Sequence, residues 1–288
     1  MKRLTWYTAK VSILSRSSII WGFSFSLFWV LVGAFTGTPI ILKDHLSLMQ
    51  QYGTSSYWLG DGYRLYVSTW YMFVSISIIG SLAAASSMYF MDGMTSFKFL
   101  TRFGKIRTKE LTASLLSGGV ISSLLVSSIL IVMLVTIFSI NGLGIVVFPS
   151  DIPLLVGSVV LSGAFIFSLS LLIVIGLNLI GQDNVVFVPY ILLAINIGSY
   201  FIWLYSSYSS STVDYLVPFM AIMALSGSAY YGSGVPTSFG SVSYTNSVPY
   251  LGKMVITHSV SVPEDLLSVI VWTLVIIFLD IYLMRKVR

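Results

Sequence analysis

The 288 residues carry ten carboxylates, two histidines and no cysteine, a sparse set of acid–base and metal-ligating groups. Without cysteine there is no thiolate nucleophile, no disulfide and no thiolate ligand for an iron–sulfur cluster. His45 and His258 lie far apart in the chain, and neither stands with carboxylates at a metal-ligand spacing. No Ser–His–Asp or paired-carboxylate arrangement is recognisable. There is also no G-x-x-x-x-G-K-[ST] loop to cradle phosphates, so the chain has no means of hydrolysing ATP by itself. What remains is a concentration of charge. Lys98, Arg102, Lys105, Arg107 and Lys109 fall within the single stretch Asp92–Leu111, five of the fifteen basic residues. Phe97, Leu100 and Phe103 recur there at every third position, giving a basic helix an apolar stripe. Such a stripe docks into a groove on a soluble partner while the cations meet carboxylates or lipid phosphates. A solvated basic loop would carry the same charges; the stripe favours docking.

The elements that position this stretch are membrane spans. The chain is 56% hydrophobic and 9% charged, where a soluble domain carries about 25% charged residues; its mean hydropathy is +0.93. The expected fold class is therefore an all-α polytopic membrane protein. Six apolar stretches are long enough for a helix of ~20 residues to cross the hydrocarbon: roughly 17–42, 63–91, 112–140, 154–180, 185–205 and 264–283. Residues 1–16 are too polar to span. Leu4, Tyr7, Val11 and Leu14 recur at helical spacing there, as in an amphipathic helix lying in the interface. The basic stretch 92–111 becomes a cytoplasmic loop, because Lys and Arg in short loops resist translocation. Residues 206–263 contain a short apolar run, 213–225, interrupted by Pro218 and followed by a Gly/Ser/Tyr-rich stretch, which reads as an outer re-entrant segment before the last span. On this map twelve of the fifteen basic residues and both termini face the cytoplasm of a cell (plasma) membrane. The net charge of +5 reflects topology, and nucleic acid is not an expected partner.

Polar residues inside spans are costly and start under functional suspicion. Asn178 and Asn196 are candidates to line a pathway or to hydrogen-bond a neighbouring helix. Asp280 is expected to pair with Arg285 or to reach the interface. Ser81/Ala85 and Ala83/Ser87 are small-xxx-small pairs that let another helix approach closely, and Gly118 and Gly119 open the third span with further small residues.

At the basic stretch the chain resembles the membrane (permease) subunit of the type-2 ABC (ATP-binding cassette) exporter family. The resemblance is carried by Asp92-Gly93 leaving the second span, the Thr95–Phe103 stretch, the basic turn Arg102 to Arg107, and Lys109-Glu110-Leu111 leading to Gly118-Gly119. The overall plan and Val248-Pro249-Tyr250, similar to the family's Pro-aromatic step, extend it over nearly the whole chain; Gly104 stands where the family often carries Pro. The resemblance implies a coupling element at Phe97, Lys98, Leu100, Arg102, Phe103, Lys105 and Arg107. It also implies a separate ABC ATPase subunit holding the ATP and Mg, a second permease copy or paralogue, and contact with membrane lipid. No cofactor is expected in this chain. The implied function is ATP-driven export of a hydrophobic or amphiphilic substrate: a peptide, a lipid-linked glycan or a drug-like molecule. A non-catalytic scaffold or accessory subunit of a respiratory or biogenesis complex is the alternative. A secondary transporter would call for internal repeats and buried ion ligands, and neither is recognisable.

Overall fold

The computed structural model describes residues 2–16, 18–40, 43, 56–104, 106–141, 146–181, 188–205, 216–232, 235, 242–245, 253–256 and 259–286. Helix α1, Lys2–Leu14, is followed by a first apolar segment, Ser18–Ile40, in which α2 (Phe25–Val32) is flanked by π-helical turns at Ser18–Ser24 and Gly33–Gly37. Two hydroxyls follow the wider turns, Ser24 Oγ donating to Ile19 O at 3.1 Å and Thr38 Oγ1 to Gly33 O at 3.3 Å. Helices α3 (Ser56–Phe103), α4 (Thr108–Asn141), α5 (Ile152–Leu179), α6 (Val188–Tyr205) and α7 (Pro218–Tyr231) follow. A two-stranded antiparallel ribbon, β1 (Val242–Thr245) with β2 (Lys253–Ile256), then precedes the final helix α8, Val262–Lys286.

Five of these segments are long and apolar enough to cross a bilayer: Ser18–Ile40, Tyr63–Phe103, Thr108–Asn141, Ile152–Leu179 and Val262–Lys286. The chain is thus a helical, multi-pass membrane protein. Helix α6, Val188–Tyr205, lies within the span expected at 185–205, and its described apolar part is Tyr190–Trp203. The bundle has a basic end, at the 104–107 turn between α3 and α4, and a far end, where Tyr63 Oη of α3 donates to Phe138 O of α4 at 2.7 Å.

Helix α3 is the axis. Its most apolar window is 89% buried, against 22% in α8 and 28% in the first segment, and it packs against α1, the first segment, α4, α5, α6 and α7. Small residues make these approaches possible. A Cβ on Gly33 would stand 2.5 Å from the Trp70 ring, one on Gly80 would stand 2.6 Å from Asn196 Nδ2, and one on Gly227 would stand 2.6 Å from Met72 Sδ. On α4, Gly118 seats Thr8 of α1 and Gly119 seats the Phe167 ring of α5. Hydroxyl pairs join the same helices: Ser12 Oγ with Ser86 Oγ at 2.5 Å, and Ser87 Oγ with Ser170 Oγ at 2.6 Å. Lipid tails are as apolar as leucine, so helices in a bilayer associate by such close packing and hydrogen bonding.

The second span was expected to end at Met91, with a loop to follow. Instead α3 continues without a break through Phe103, and the turn is confined to residues 104–107. One glycine in a helix costs only about 1 kcal/mol relative to alanine, and the Phe97 ring covers Gly93 at 2.8 Å from its would-be Cβ. Burial of Met94 and Phe97 with Leu111, Leu115, Leu171, Val174, Ile175 and Met284 then holds the extra turns helical. The restart is capped reciprocally. Arg107 O accepts from Glu110 N at 2.9 Å, while Arg107 N donates to Glu110 Oε2 at 3.3 Å.

Helix α1 meets the bundle with one face. Its buried face is small and polar (Thr8, Ala9 and Ser12), while Trp6, Tyr7 and Leu14 are exposed together with Lys2, Arg3, Lys10 and Arg16. The buried face is set by what fits against Gly118 and Ser86.

Helix α7 occupies the middle of the bundle, wrapped by α3, α5, α6 and α8. Every residue from Phe219 to Tyr230 is buried. It begins with Pro218 in its first turn, where the missing N–H costs nothing. Its last carbonyls are satisfied from the α4–α5 connector, Ser150 N donating to Tyr230 O and Asp151 N to Ala229 O, both at 3.0 Å. Phe219 at the other end meets Phe165 edge-to-face at 5.3 Å, about 20 Å along α5 from its start. The helix therefore covers half the bundle's depth. Tyr230, at the start of the Gly/Ser/Tyr-rich stretch, is fully buried and stacks on Tyr71 at 5.0 Å. Most of the Gly/Ser/Tyr-rich stretch 226–250 lies outside the described residues.

Because Gly119 seats an aromatic ring, Gly119→Val forces α4 away from α5 and lowers stability by about 1–3 kcal/mol. Gly157, with nothing within 4 Å of its would-be Cβ, accepts alanine without loss. Thermal unfolding of the two purified variants in detergent makes the comparison.

Candidate functional site

The basic end gathers the exposed cations. Lys2, Arg3, Arg102, Arg107, Lys109, Arg285 and Lys286 are all solvent-exposed there, and Lys98 is half-buried. They come from α1, from the α3–α4 tip and from the end of α8, three separate elements brought to one face.

The tip itself differs in one respect from the stripe expected at every third position. Phe97 is 3% exposed and packs inward with Phe90, Met94 and Met284. Its ring lies edge-on to Tyr89 at 5.8 Å. Leu100 is half-buried. The side chains that face outward are Phe99 and Phe103, 63% and 65% exposed, with ring centroids 5.0 Å apart. Four-residue spacing puts these two on one side of an α-helix. Arg102 lies over the Phe103 ring at 5.5 Å, a cation–π contact of about 0.5–1 kcal/mol at an exposed site. The presented surface is thus an aromatic pair with a guanidinium laid across it, beside Lys98. Phe99 was missed in the sequence because the three-residue reading passed over it; four-residue spacing from Phe103 finds it.

Gly104 ends α3. Its N–H donates to Leu100 O at 3.0 Å, and a Cβ would stand 2.6 Å from that same oxygen, so the turn here favours glycine. Lys105 lies outside the described residues. Arg107 is exposed, and its backbone serves the cap of α4.

The two candidate pathway residues are not brought together. Asn178 is half-buried in the last turn of α5, at the basic end. Asn196 is fully buried mid-way along α6 against Gly80, its Nδ2 donating to Leu192 O of its own helix at 2.8 Å. An apolar crevice lies elsewhere, between the first segment, α3 and α4, lined by Phe23, Ser26, Ile78, Val126, Leu130 and Met133. The expected pairing of Asp280 with Arg285 is absent: Asp280 is fully buried and Arg285 is exposed. Burial of the α8 face that carries Asp280 turns it away from the Arg285 side. His45 and His258 lie outside the described residues, and no group of three metal-ligating side chains occurs among the described ones.

No known protein family, curated protein or solved structure matches the chain.

Two phenylalanines six residues apart should separate by role. Phe97→Ala costs about 3–5 kcal/mol, as expected for a buried ring. Phe103→Ala changes stability by no more than about 0.5 kcal/mol, as expected for an exposed site. Thermal unfolding of each variant in the same detergent checks this.

Proposed function

We propose that this chain is the membrane subunit of an ATP-driven exporter, and that a separate ATPase subunit docks on the α3–α4 tip. The observation that carries this reading is the tip's reach and chemistry. Residues Tyr63–Phe103 form 41 residues of helix, about 60 Å at 1.5 Å per residue, against a hydrocarbon core of about 30 Å. A continuous lever thus runs from the buried centre of the bundle to a surface bearing Phe99, Phe103, Arg102 and Lys98. An aromatic pair framed by cations fits an apolar groove rimmed by carboxylates on a soluble protein. Force applied at Phe103 is transmitted along α3 to every helix packed on it, including the buried α7.

The six-span plan belongs to the same proposal, with α6 as the fifth span and α7 as the rising arm of a re-entrant hairpin. Helices α6 and α7 support it by running in the same direction. Asn196 lies level with Gly80 and Tyr200 with Phe73, so α6 climbs toward the far end, and α7 climbs from Phe165 to the 150–151 connector. A consecutive pair of helices that run in the same direction, the second beginning at half depth, is the pairing expected of a broken hairpin rather than of a sixth full crossing. With the basic end cytoplasmic, as the positive-inside rule requires, α1 lies along the inner interface with Trp6, Tyr7 and Leu14 in lipid. The partners are the ATPase, a second copy or paralogue, and lipid. The cargo is a hydrophobic or amphiphilic molecule.

Affinity purification of the full chain from native membranes, with mass spectrometry of what accompanies it, tests the proposal. A near-stoichiometric soluble protein carrying a P-loop is expected. The combined substitution Phe99→Ala, Arg102→Glu, Phe103→Ala should reduce its recovery at least tenfold while the variant remains folded. Recovery of redox or assembly proteins with no ATPase would replace the exporter by a scaffold.

A further inference from the structure

Helix α8 is apolar where it is exposed and polar where it is buried. Leu267, Ile270, Leu274 and Phe278 are open to the surroundings, while the buried stripe reads Asp265, Val269, Thr273, Ile276, Asp280, Met284. That arrangement is the reverse of a water-soluble helix and places its ionisable groups against protein. Of these groups Asp280 is the most isolated. It is 0% exposed, and neither carboxylate oxygen has a hydrogen-bond partner among the described residues. Met284, one turn further on, sits in the apolar cluster with Leu111, Leu115, Leu171 and Val174.

Among the described residues, no cation pairs with Asp280 from the elements around it. Helix α5 carries no charged or titratable residue. Helix α7 carries only Tyr230 and Tyr231, at its far end, where Tyr230 Oη donates to Val147 O. On α4, Lys109 is exposed and Glu110 accepts from the Arg107 N–H. On α3, Asp92 is exposed and Tyr89 lies against the Tyr7 and Phe97 rings. On α8 itself Glu264, Tyr282, Arg285 and Lys286 are exposed, and Asp265 is about 22 Å away along the axis. A bound metal cation would need several oxygen ligands, and no cluster of such residues exists among the described ones. A proton needs only the carboxylate.

We propose that Asp280 is a buried proton-binding site, occupied while α8 lies packed on α5 and α7 and exchanged with water only when α8 parts from them. On release the proton passes to water and the charge stays on the carboxylate, which disfavours repacking until a proton is regained. The inference goes beyond the exporter reading: any driver that moves α8 would move this proton.

Infrared spectroscopy of the full-length protein in lipid nanodiscs, with no partner present, tests it independently of the ATPase. At neutral pH the wild-type spectrum should contain a protonated-carboxyl C=O stretch whose shift in D2O lags at least tenfold behind exchange of the exposed side chains. Asp280→Asn, a neutral isostere, and Asp280→Ala should each lose that band with the helical signal retained. A wild-type spectrum without the band overturns the proposal and requires no variant. So does a band that survives intact in either folded variant, or one that shifts in D2O as fast as exposed groups.

Discussion

The structure depends on how closely helices can approach α3. In a bilayer no hydrophobic force drives one apolar helix against another, so the bundle must be held by fit and by hydrogen bonds between backbones brought near. Small residues provide the approach: Gly33 under Trp70, Gly80 under Asn196, Gly227 under Met72. The hydroxyl pairs Ser12–Ser86 and Ser87–Ser170 then tie α1 and α5 to the same helix. Hydroxyl contacts in membranes are worth only about 0.6 kcal/mol on average, so none of them alone decides the fold; their number along one axis does.

From that constraint follows an uneven distribution of rigidity. Helices α3, α5 and α7 form a tightly seated core, with α7 buried throughout and its terminal carbonyls satisfied by Ser150 and Asp151. The first segment and α8 lie at the periphery, each with under a third of its most apolar window buried. The π-helical turns at Ser18–Ser24 and Gly33–Gly37 widen the first segment further. The polar buried stripe of α8 lies on the seam between this core and one of the two peripheral elements.

The basic end shows how charge and packing divide the work. The cations of α1, the α3–α4 tip and α8 converge there because long charged side chains seek water at the nearest end of a span. Beneath them an apolar cluster of Phe90, Met94, Phe97, Leu115, Ile175 and Met284 makes the end of the bundle solid. Phe97 belongs to this floor, and Phe99 and Phe103 to the surface above it. Two residues along the helix, about 200° of rotation, separate the buried Phe97 from the exposed Phe99.

The membrane class, the N-terminal helix, the long apolar segments and the basic cluster between the second and third of them were all determined by the sequence alone, because hydropathy and charge are local properties that need no partner to be read. Helix α3's continuation past Met91 was not legible, since it depends on the distant Leu111, Leu171 and Met284 covering Met94 and Phe97. Neither was the face that α1 buries, which is chosen by Gly118 and Ser86 rather than by its own periodicity. The half-depth placement of α7 and the β1–β2 ribbon came only from the assembled bundle. Asp280 makes the same point for the candidate sites. Its position near a basic residue suggested an ion pair, and the rotation of α8 against α5 and α7 turned it inward instead. Which side of a helix faces protein is settled by the neighbours' shapes, and those shapes exist only once the chain has folded.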